Sequence, residues 1–312
     1  MGVGSGAKFI MKISYIPNGY ENLASSRLRV YKVATVLEKL GHTVRIKPAR
    51  EVLFTDSDVV AVQKVNSDRA GRMMQRLMDN GVRVVWDVDD PIGVQMPCHV
   101  VTVGSRRLTQ DYPDSIYIPD ALDVSEGHPV KQTHSPELRR VCWFGLHCNL
   151  YNCRPVYEAC QELGMSLCVI TDLGHKDFKP LFPLADYVAW SLETVDQNIV
   201  DCDLVVLPYL LDATPTGWLP DGQTLADWNN AKGENRLLKA WALGMPVIGA
   251  PIQSYMECGL FDTAVKTQDW VAKLRRFRAV ELRQGRAAAG RLRAARRNDK
   301  VIANQWLKVF RG

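Results

Sequence analysis

Two clusters in this sequence have the residue types and spacing to do chemistry. In KGENRLLKAWALGMPVIGAP, Lys232, Gly233, Glu234, Asn235 and Arg236 stand just before good helix formers that run to Leu243. Gly244 supplies the helix stop, and Pro246, Val247 and Ile248 open an apolar strand. A polar, basic cluster at a helix N-terminus meets free backbone N–H groups and the positive end of the dipole, which suits an anion such as a diphosphate. An ordinary helix entry with a solvated charged turn is the alternative. The second cluster is VVWDVDDP, where Asp87, Asp89 and Asp90 follow an apolar run and Pro91 halts it. Carboxylates so placed can bind a metal, take the proton of a hydroxyl or cap the next turn. Asp89 and Asp90 are the candidates for the base.

Alternating strand and helix signals position these clusters on a parallel sheet covered on both faces. Strands are expected over Phe9–Tyr15, Thr43–Ile46, Val59–Val62, Arg83–Trp86, Val100–Val103 and Ser115–Ile118. Helices are expected over Ser26–Leu40, Arg69–Asn80 and Arg106–Tyr112. A polar stretch from Leu122 to Pro136 reads as a linker. A second alternation then places strands over Val141–Phe144, Leu167–Thr171, Tyr187–Trp190, Leu204–Leu207 and Pro246–Gly249. Val301, Ile302, Trp306, Val309 and Phe310 give a last helix, Asp299–Phe310, one apolar face. The division expected is an extension over 1–10 with Met11 as a start, a first domain over 11–125, a linker over 126–138, a second domain over 139–295 and a final helix over 296–312. In open α/β sheets ligands gather beyond the carboxyl ends of strands, which directs attention to the loops there. These hold Gly19, Ser25, Ser26, Arg27 and Arg29 in the first domain, Gln63 and Lys64 after a strand, and Gly145 to Asn152 in the second domain. Arg27 suits bidentate contacts to phosphate or a surface ion pair, and Gly145 permits close backbone approach while Asn149 offers a hydrogen bond.

The Lys232–Pro251 segment resembles the C-terminal signature of GT-B glycosyltransferases of the large retaining, nucleotide-sugar-dependent, family-4-like group. SSRLRVYKVATVLEKLGHTVRI, VVWDVDDP, VTVGSRRL, YIPDALD, VCWFGLHCN and ETVDQNIVDCDLVVLP follow in that family's order, over nearly the whole chain. The resemblance implies an α/β GT-B fold: two doubly wound Rossmann-like domains facing a cleft, with the C-terminal helix crossing back to the first. It implies transfer of a sugar from a nucleotide-diphosphate donor to a hydroxyl, with that nucleotide sugar as co-substrate and no metal. Donor contacts would come from Ser26, Arg27, Gly145, Asn149, Lys232, Gly233, Glu234, Asn235 and Arg236. Glu193 and Thr194 would lie near the base or ribose, with helix capping by Ser191 or Thr194 as the competing account. Lys64, and Trp218 in the long segment Leu211–Asn230, are expected on the acceptor side or in the cleft. One departure concerns the two glutamates common in retaining members, whose places hold Ala231 and Lys239. Glu234 taking over a sugar contact, or Lys239 facing outward, are the alternatives, and inversion with an aspartate base stays open. A catalytically degenerate module that binds nucleotide sugar or nucleic acid is the other class of reading.

Composition narrows the setting. At 312 residues, 46% hydrophobic and 23% charged, the chain can bury two cores, and no apolar run reaches membrane-spanning length. MGVGSGAKFI lacks an apolar signal core, so a cytoplasmic protein is expected, in a host's cytoplasm if phage-encoded. The eight cysteines lack zinc-type spacing; Cys148 and Cys153 beside His147 form the one cluster with a metal-like look, and reduced thiols are expected. Residues 266–312 hold fourteen Lys or Arg against three Asp or Glu, so the formal +5 is a C-terminal property. Basic residues within 273–300 are either a solvated helix face or a platform for a polyanion such as DNA or an acidic membrane surface. A hydroxylated base in DNA, as in phage DNA-modifying members, stands beside saccharides and lipid-linked sugars as acceptor.

Overall fold

The computed structural model describes residues 10–47, 56–212, 219 and 223–312. The chain forms two compact units: the residues up to Gly104, Leu108–Ala121 and Asp299–Gly312 make one, and Ser105–Arg107 with Leu122–Asn298 make the other. In unit 1, β1 (Lys12–Ile16) leads to α1 (Ala24–Ser26), which continues through a π-helical turn (Arg27–Tyr31) into α2 (Lys32–Lys39). Then come β2 (Thr43–Ile46), β3 (Val59–Gln63), α3 (Asp68–Asp79), β4 (Arg83–Val88), β5 (Val100–Val103) and β6 (Ile116–Tyr117). All six strands pair in parallel in the order β2-β1-β3-β4-β5-β6. The apolar run VVAVQ is buried along its whole length because the sheet is covered on both faces. The expected helix from Arg106 to Tyr112 is instead a 3-10 turn over Arg106–Gln110, pinned by buried Leu108 and followed by Pro113, which disfavours helical continuation.

In unit 2, β7 (Arg140–Phe144) and a 3-10 turn (His147–Cys153) lead into α4 (Arg154–Leu163), β8 (Ser166–Thr171), β9 (Asp186–Ala189), α5 (Val195–Val200) and β10 (Leu204–Leu207). After β10 come α6 (Leu225–Asn230), α7 (Asn235–Ala242), β11 (Val247–Gly249), α8 (Gln253–Glu257), α9 (Thr267–Arg276) and α10 (Val280–Ala294). The five strands are parallel in the order β11-β10-β7-β8-β9. Gly244 ends α7 at φ +74°, with Met245 N–H bonded to the Ala240 carbonyl at 3.0 Å, as a left-handed C-terminal glycine should. A side chain at Gly244 would also meet the Lys131 carbonyl at 2.8 Å. That contact revises the expected linker. Lys131 N–H bonds Leu243 O at 2.9 Å, its Nζ bonds Val200 O at 2.8 Å, and Leu122 and Val124 pack on the core, so the segment is a strap along unit 2. Within the long segment Leu211–Asn230, Thr224 and Asp227 cap α6 reciprocally.

The chain ends in α11 (Asp299–Arg311), which belongs to unit 1. Ile302, Ala303, Trp306, Leu307, Val309 and Phe310 are buried there with Tyr15, Val30 and Val85. Tyr15 meets the rings of Trp306 and Phe310 edge-on at 6.3 and 6.0 Å. Burying each such side chain is worth about 1.5–3 kcal/mol, so this helix contributes a large share of the core of unit 1.

The basic C-terminal run is partly internal. Arg283 is fully buried and donates to the carbonyls of Phe277, Arg278 and Ser135; Arg286 Nε lies 2.5 Å from Asp262 Oδ2; Arg297 pairs with Glu234. Arg275 pairs with Glu162 at 2.9 Å, and Arg293 lies over the rings of Phe261 and Trp241 at 5.0 and 5.9 Å. The expected platform over 273–300 is thereby reduced. Arg291 and Arg296 remain exposed.

Candidate functional site

In each sheet the chain leaves the first strand on one side and later returns on the other, which opens a crevice between two diverging loops. In unit 1 this point lies between β1 and β3, and in unit 2 between β7 and β10. Both points gather sequence-predicted residues.

At the unit 1 point the loop after β1 is tied to the end of β3. Gln63 Oε1 accepts from Ser26 Oγ at 2.9 Å and from Asn18 N–H at 3.1 Å, while Gly19 N–H donates to Ser26 Oγ at 3.0 Å. Arg27 is buried and donates to the carbonyls of Glu21 and Asn22 at 2.9 and 3.2 Å, so it braces this loop from beneath. Lys64 is the one described non-glycine residue with positive φ, at 55°. Such a backbone costs about 1–2 kcal/mol and persists where its surroundings over-determine it. Here they do: Lys64 N–H bonds Asp87 O at 2.9 Å, and Nζ lies 2.7 Å from Asp89 Oδ1 and 2.5 Å from Asp90 Oδ2. The lysine therefore cancels the mutual repulsion of two adjacent carboxylates and fixes their direction.

Asp87 has a different occupation from its neighbours. Its carboxylate takes a bidentate pair from Arg29 (2.8 and 2.7 Å) and the Thr102 hydroxyl (2.7 Å), and Arg29 reaches on to Asp120 Oδ1 at 3.0 Å and Ile118 O at 2.8 Å. Burial works against the Arg29 charge, and the two carboxylates outweigh it, raising its pKa above the ordinary value. The three side chains form a closed structural triad. In sequence Arg29 looked like Arg27, another loop cation; only the π-helical turn, which buries Arg27 to Val30 together, revealed its role.

The unit 2 point is built around Arg236, on the first turn of α7. Its guanidinium lies 4.9 Å from the Tyr209 ring centre and 5.9 Å from that of Trp143; it donates to the Tyr209 hydroxyl and, at 3.3 Å, to Phe144 O. Gly145 is what lets it sit there. A Cβ at that position would stand 3.0 Å from the Trp143 ring and 3.1 Å from Arg236 Nη1. Burial pushes the nearby Tyr255 phenol well above its ordinary pKa, which keeps it neutral. Among the described residues no carboxylate pairs with Arg236. A partly buried cation held by neutral oxygens and ring faces is a ready anion site, because an arriving anion supplies the missing counter-charge.

Around it, Lys232 Nζ rests 4.3 Å above the Trp228 ring, Gly233 follows, and Asn235 Oδ1 accepts the Arg236 N–H at 2.6 Å. Asn149 lies partly exposed on the 3-10 turn after β7. Glu234, by contrast, is buried and paired with Arg297, so its carboxylate braces α7. Lys239 does not face outward: it is buried, with Nζ 2.6 Å from Asp196 Oδ1 and 2.9 Å from Asp123 O, joining α7 to α5 and the strap. The buried acids Asp196 and Glu234 explain why each cation turned inward. Glu193 is exposed, and Thr194 Oγ1 lies 2.9 Å from Ser191 Oγ at the start of α5. Trp218 lies outside the described residues.

Two contributors were given no such role from the sequence, where Asn152 only closed a loop and His147 only stood beside Cys148 and Cys153. Buried Asn152 joins the two walls of the crevice, its Oδ1 accepting from Leu210 N–H at 2.9 Å and Asn229 Nδ2 at 3.2 Å. His147 and Asp172, at the ends of β7 and β8, are bonded to one another. The strand-end rule would have flagged Asp172, but its partner is twenty-five residues away. The eight cysteines form no disulfide; Cys148 is exposed whereas Cys153 is buried, its thiol pushed well up by burial, so the pair seen in sequence points two ways.

No family model and no curated protein matches the sequence. Solved structures do. Sucrose-phosphate synthase of Thermosynechococcus elongatus is similar with a TM-score of 0.69 at 12% identity, over 96% of this chain and 98% of that one. HepE of Anabaena, in complex with UDP and glucose, gives 0.65 at 12%, over 96% and 98%. AviGT4, a glycosyltransferase involved in avilamycin A biosynthesis, gives 0.63 at 12%, over 96% and 97%. The fold is GT-B. At this identity the likeness is one of GT-B architecture: two parallel-sheet α/β units along the whole chain. Among the described residues no helix is long and apolar enough to cross a membrane.

Proposed function

We propose that this GT-B chain is a cytoplasmic glycosyltransferase that moves a sugar from a nucleotide-diphosphate donor to a hydroxyl acceptor. The observation that carries the reading is Arg236, a partly buried cation at the switch point of unit 2 with no carboxylate partner among the described residues, seated beside a glycine whose missing side chain leaves room for the guanidinium. The donor diphosphate takes the place of the missing counter-ion. Lys232, Asn235 and the first turn of α7 flank it, and Gly145 and Asn149 approach it through the backbone and an amide. Glu193 and Thr194 adjoin the nucleoside. Charge developing on the leaving diphosphate meets preorganised cations and N–H groups, whose electrostatic stabilisation usually lowers such barriers most, so no metal is required. UDP and glucose bound to HepE make a UDP-sugar the first donor to try.

Asp89 and Asp90 accept the proton of the attacking hydroxyl in this reading, with Lys64 orienting both. Acceptor candidates are saccharides, lipid-linked sugars and hydroxymethylated bases in DNA, the last served by the exposed arginines Arg291 and Arg296. Thermal-shift screening of nucleotide sugars, followed by mass analysis of an acceptor panel containing all three classes, tests the proposal. A melting-temperature rise with one nucleotide sugar and a hexose mass increment on one acceptor are expected. No stabilisation by any nucleotide sugar would overturn it, and binding without transfer or donor hydrolysis would make the chain a recognition module.

A further inference from the structure

The loop after β7 carries a titratable pair that the donor contacts above leave unused. His147 is fixed twice by one carboxylate: its backbone N–H donates to Asp172 Oδ1 at 2.8 Å, and its ring Nδ1 lies 2.8 Å from Oδ2. Thr171 Oγ1 reaches both Asp172 Oδ1, at 3.0 Å, and the Gly145 carbonyl, at 2.7 Å, so the pair is coupled to the glycine beside Arg236. Burial opposes the Asp172 charge, but these donors outweigh it and hold the carboxyl below its ordinary pKa. An ionised Asp172 can only accept, so Nδ1 carries the hydrogen and the tautomer is set.

The rest of the ring is equally constrained. One face rests on His175, with centroids 4.3 Å apart and planes tilted by 31°. His175 is turned toward Asp177, whose N–H reaches its Nδ1 at 3.2 Å, and Cys148 follows His147 in the chain. The imidazole is largely covered, with 16% of its side chain exposed, and among the described residues Nε2 has no hydrogen-bond partner. A histidine oriented on one edge and unpartnered on the other is set to meet something that is not protein.

We propose that His147, positioned by Asp172, is a contact for the donor's diphosphate, a proton bound at Nε2 in the complex being shared with a phosphate oxygen. This rests on the nucleotide-donor reading of the same crevice. His147 stands two residues beyond Gly145, whose Cβ position is 3.1 Å from Arg236 Nη1, so the same loop carries both the glycine beside Arg236 and the imidazole. Asp172 accepts from Nδ1 and fixes the ring, and the arriving phosphate supplies an acceptor on the opposite edge. Asp172 acts through His147 and is a positioning residue.

The test compares UDP with uridine by isothermal titration, and GDP with guanosine in parallel, using wild type, His147→Ala, His147→Gln, Asp172→Asn and Arg236→Ala. Loss of one charge-assisted hydrogen bond corresponds to roughly tenfold to hundredfold in affinity. His147→Ala should weaken the diphosphate by that factor and leave the nucleoside unchanged, a selectivity that a merely structural role would not produce. His147→Gln, with an N–H on a side chain of similar reach, should recover part of the loss, and Asp172→Asn should weaken the diphosphate less than His147→Ala. Equal diphosphate affinity in wild type, His147→Ala and His147→Gln, with binding lost in Arg236→Ala, would overturn this inference and leave the donor reading intact. Diphosphate binding that survives Arg236→Ala unchanged, or is absent from wild type, would overturn both.

Discussion

The two switch points share one architecture and differ in how their arginines are neutralised. In unit 1, Arg29 is fully buried between Asp87 and Asp120, and every donor edge has an oxygen within 3.0 Å. In unit 2, Arg236 meets, among the described residues, the Tyr209 hydroxyl, the Phe144 carbonyl and aromatic faces. The first arrangement is complete without a ligand, whereas the second has no carboxylate opposite it among the described residues. Strand-end arginines are thus told apart by what opposes them: carboxylates satisfy the charge within the protein, whereas neutral surroundings leave it available to an anion.

Mutations can break that contrast, and the largest effect is expected at the completed site. Arg29→Ala leaves Asp87 and Asp120 buried without their cation and should cost about 3–5 kcal/mol of unfolding free energy, read from urea denaturation. Arg236→Ala strands no buried acid, so its midpoint should move far less; an equal loss in both variants would erase the distinction. Next in size is the Lys64 cluster. Asp89→Asn or Asp90→Asn should leave nucleotide-sugar affinity unchanged while turnover falls about 10²-fold or more, and full turnover in both variants would remove them as bases.

Donor affinity sharpens the comparison from the other side. Arg236→Ala and Lys232→Ala should each weaken nucleotide-sugar binding by about 1.5–3 kcal/mol in calorimetry, and unchanged affinity in both would end the anion-site interpretation. A smaller effect concerns the exposed basic surface. Since Arg293 and Arg297 have internal partners, replacing Arg291 and Arg296 together should flatten the salt dependence of any DNA binding by at most about two units. The smallest is an acid effect on unit 1. Lys12 and Arg45 hold the exposed Asp56 carboxyl down to about 2, from 3.8. Its contribution is present above the unfolded value and fades as pH falls from about 4 toward 2, so Asp56→Asn should slightly flatten an acid denaturation curve there.

Much of the fold was legible because strand and helix periods are local. Thr43–Ile46, Val100–Val103 and Leu204–Leu207 coincide with observed strands, Gly244 stops α7, and the apolar face of the last helix is buried. Hydrophobic spacing and the left-handed preference of glycine require no knowledge of distant partners. The 3-10 turn at Arg106–Gln110 was less legible, since a few good helix formers before a proline look the same in either form.

The sequence by itself therefore determined two parallel α/β units, a polar cluster at the start of a helix and a pair of aspartates at a strand end. Only tertiary structure decided which charged residues are spoken for. Arg29, Glu234 and Lys239 are matched by Asp87, Arg297 and Asp196, residues 58, 63 and 43 positions away, and His147 gains its orientation from Asp172 across a neighbouring strand. Charge neutralisation is a short-range contact between segments remote in sequence. Composition and periodicity carry no record of that pairing, so the same motif can denote a brace or an open site until the chain has folded.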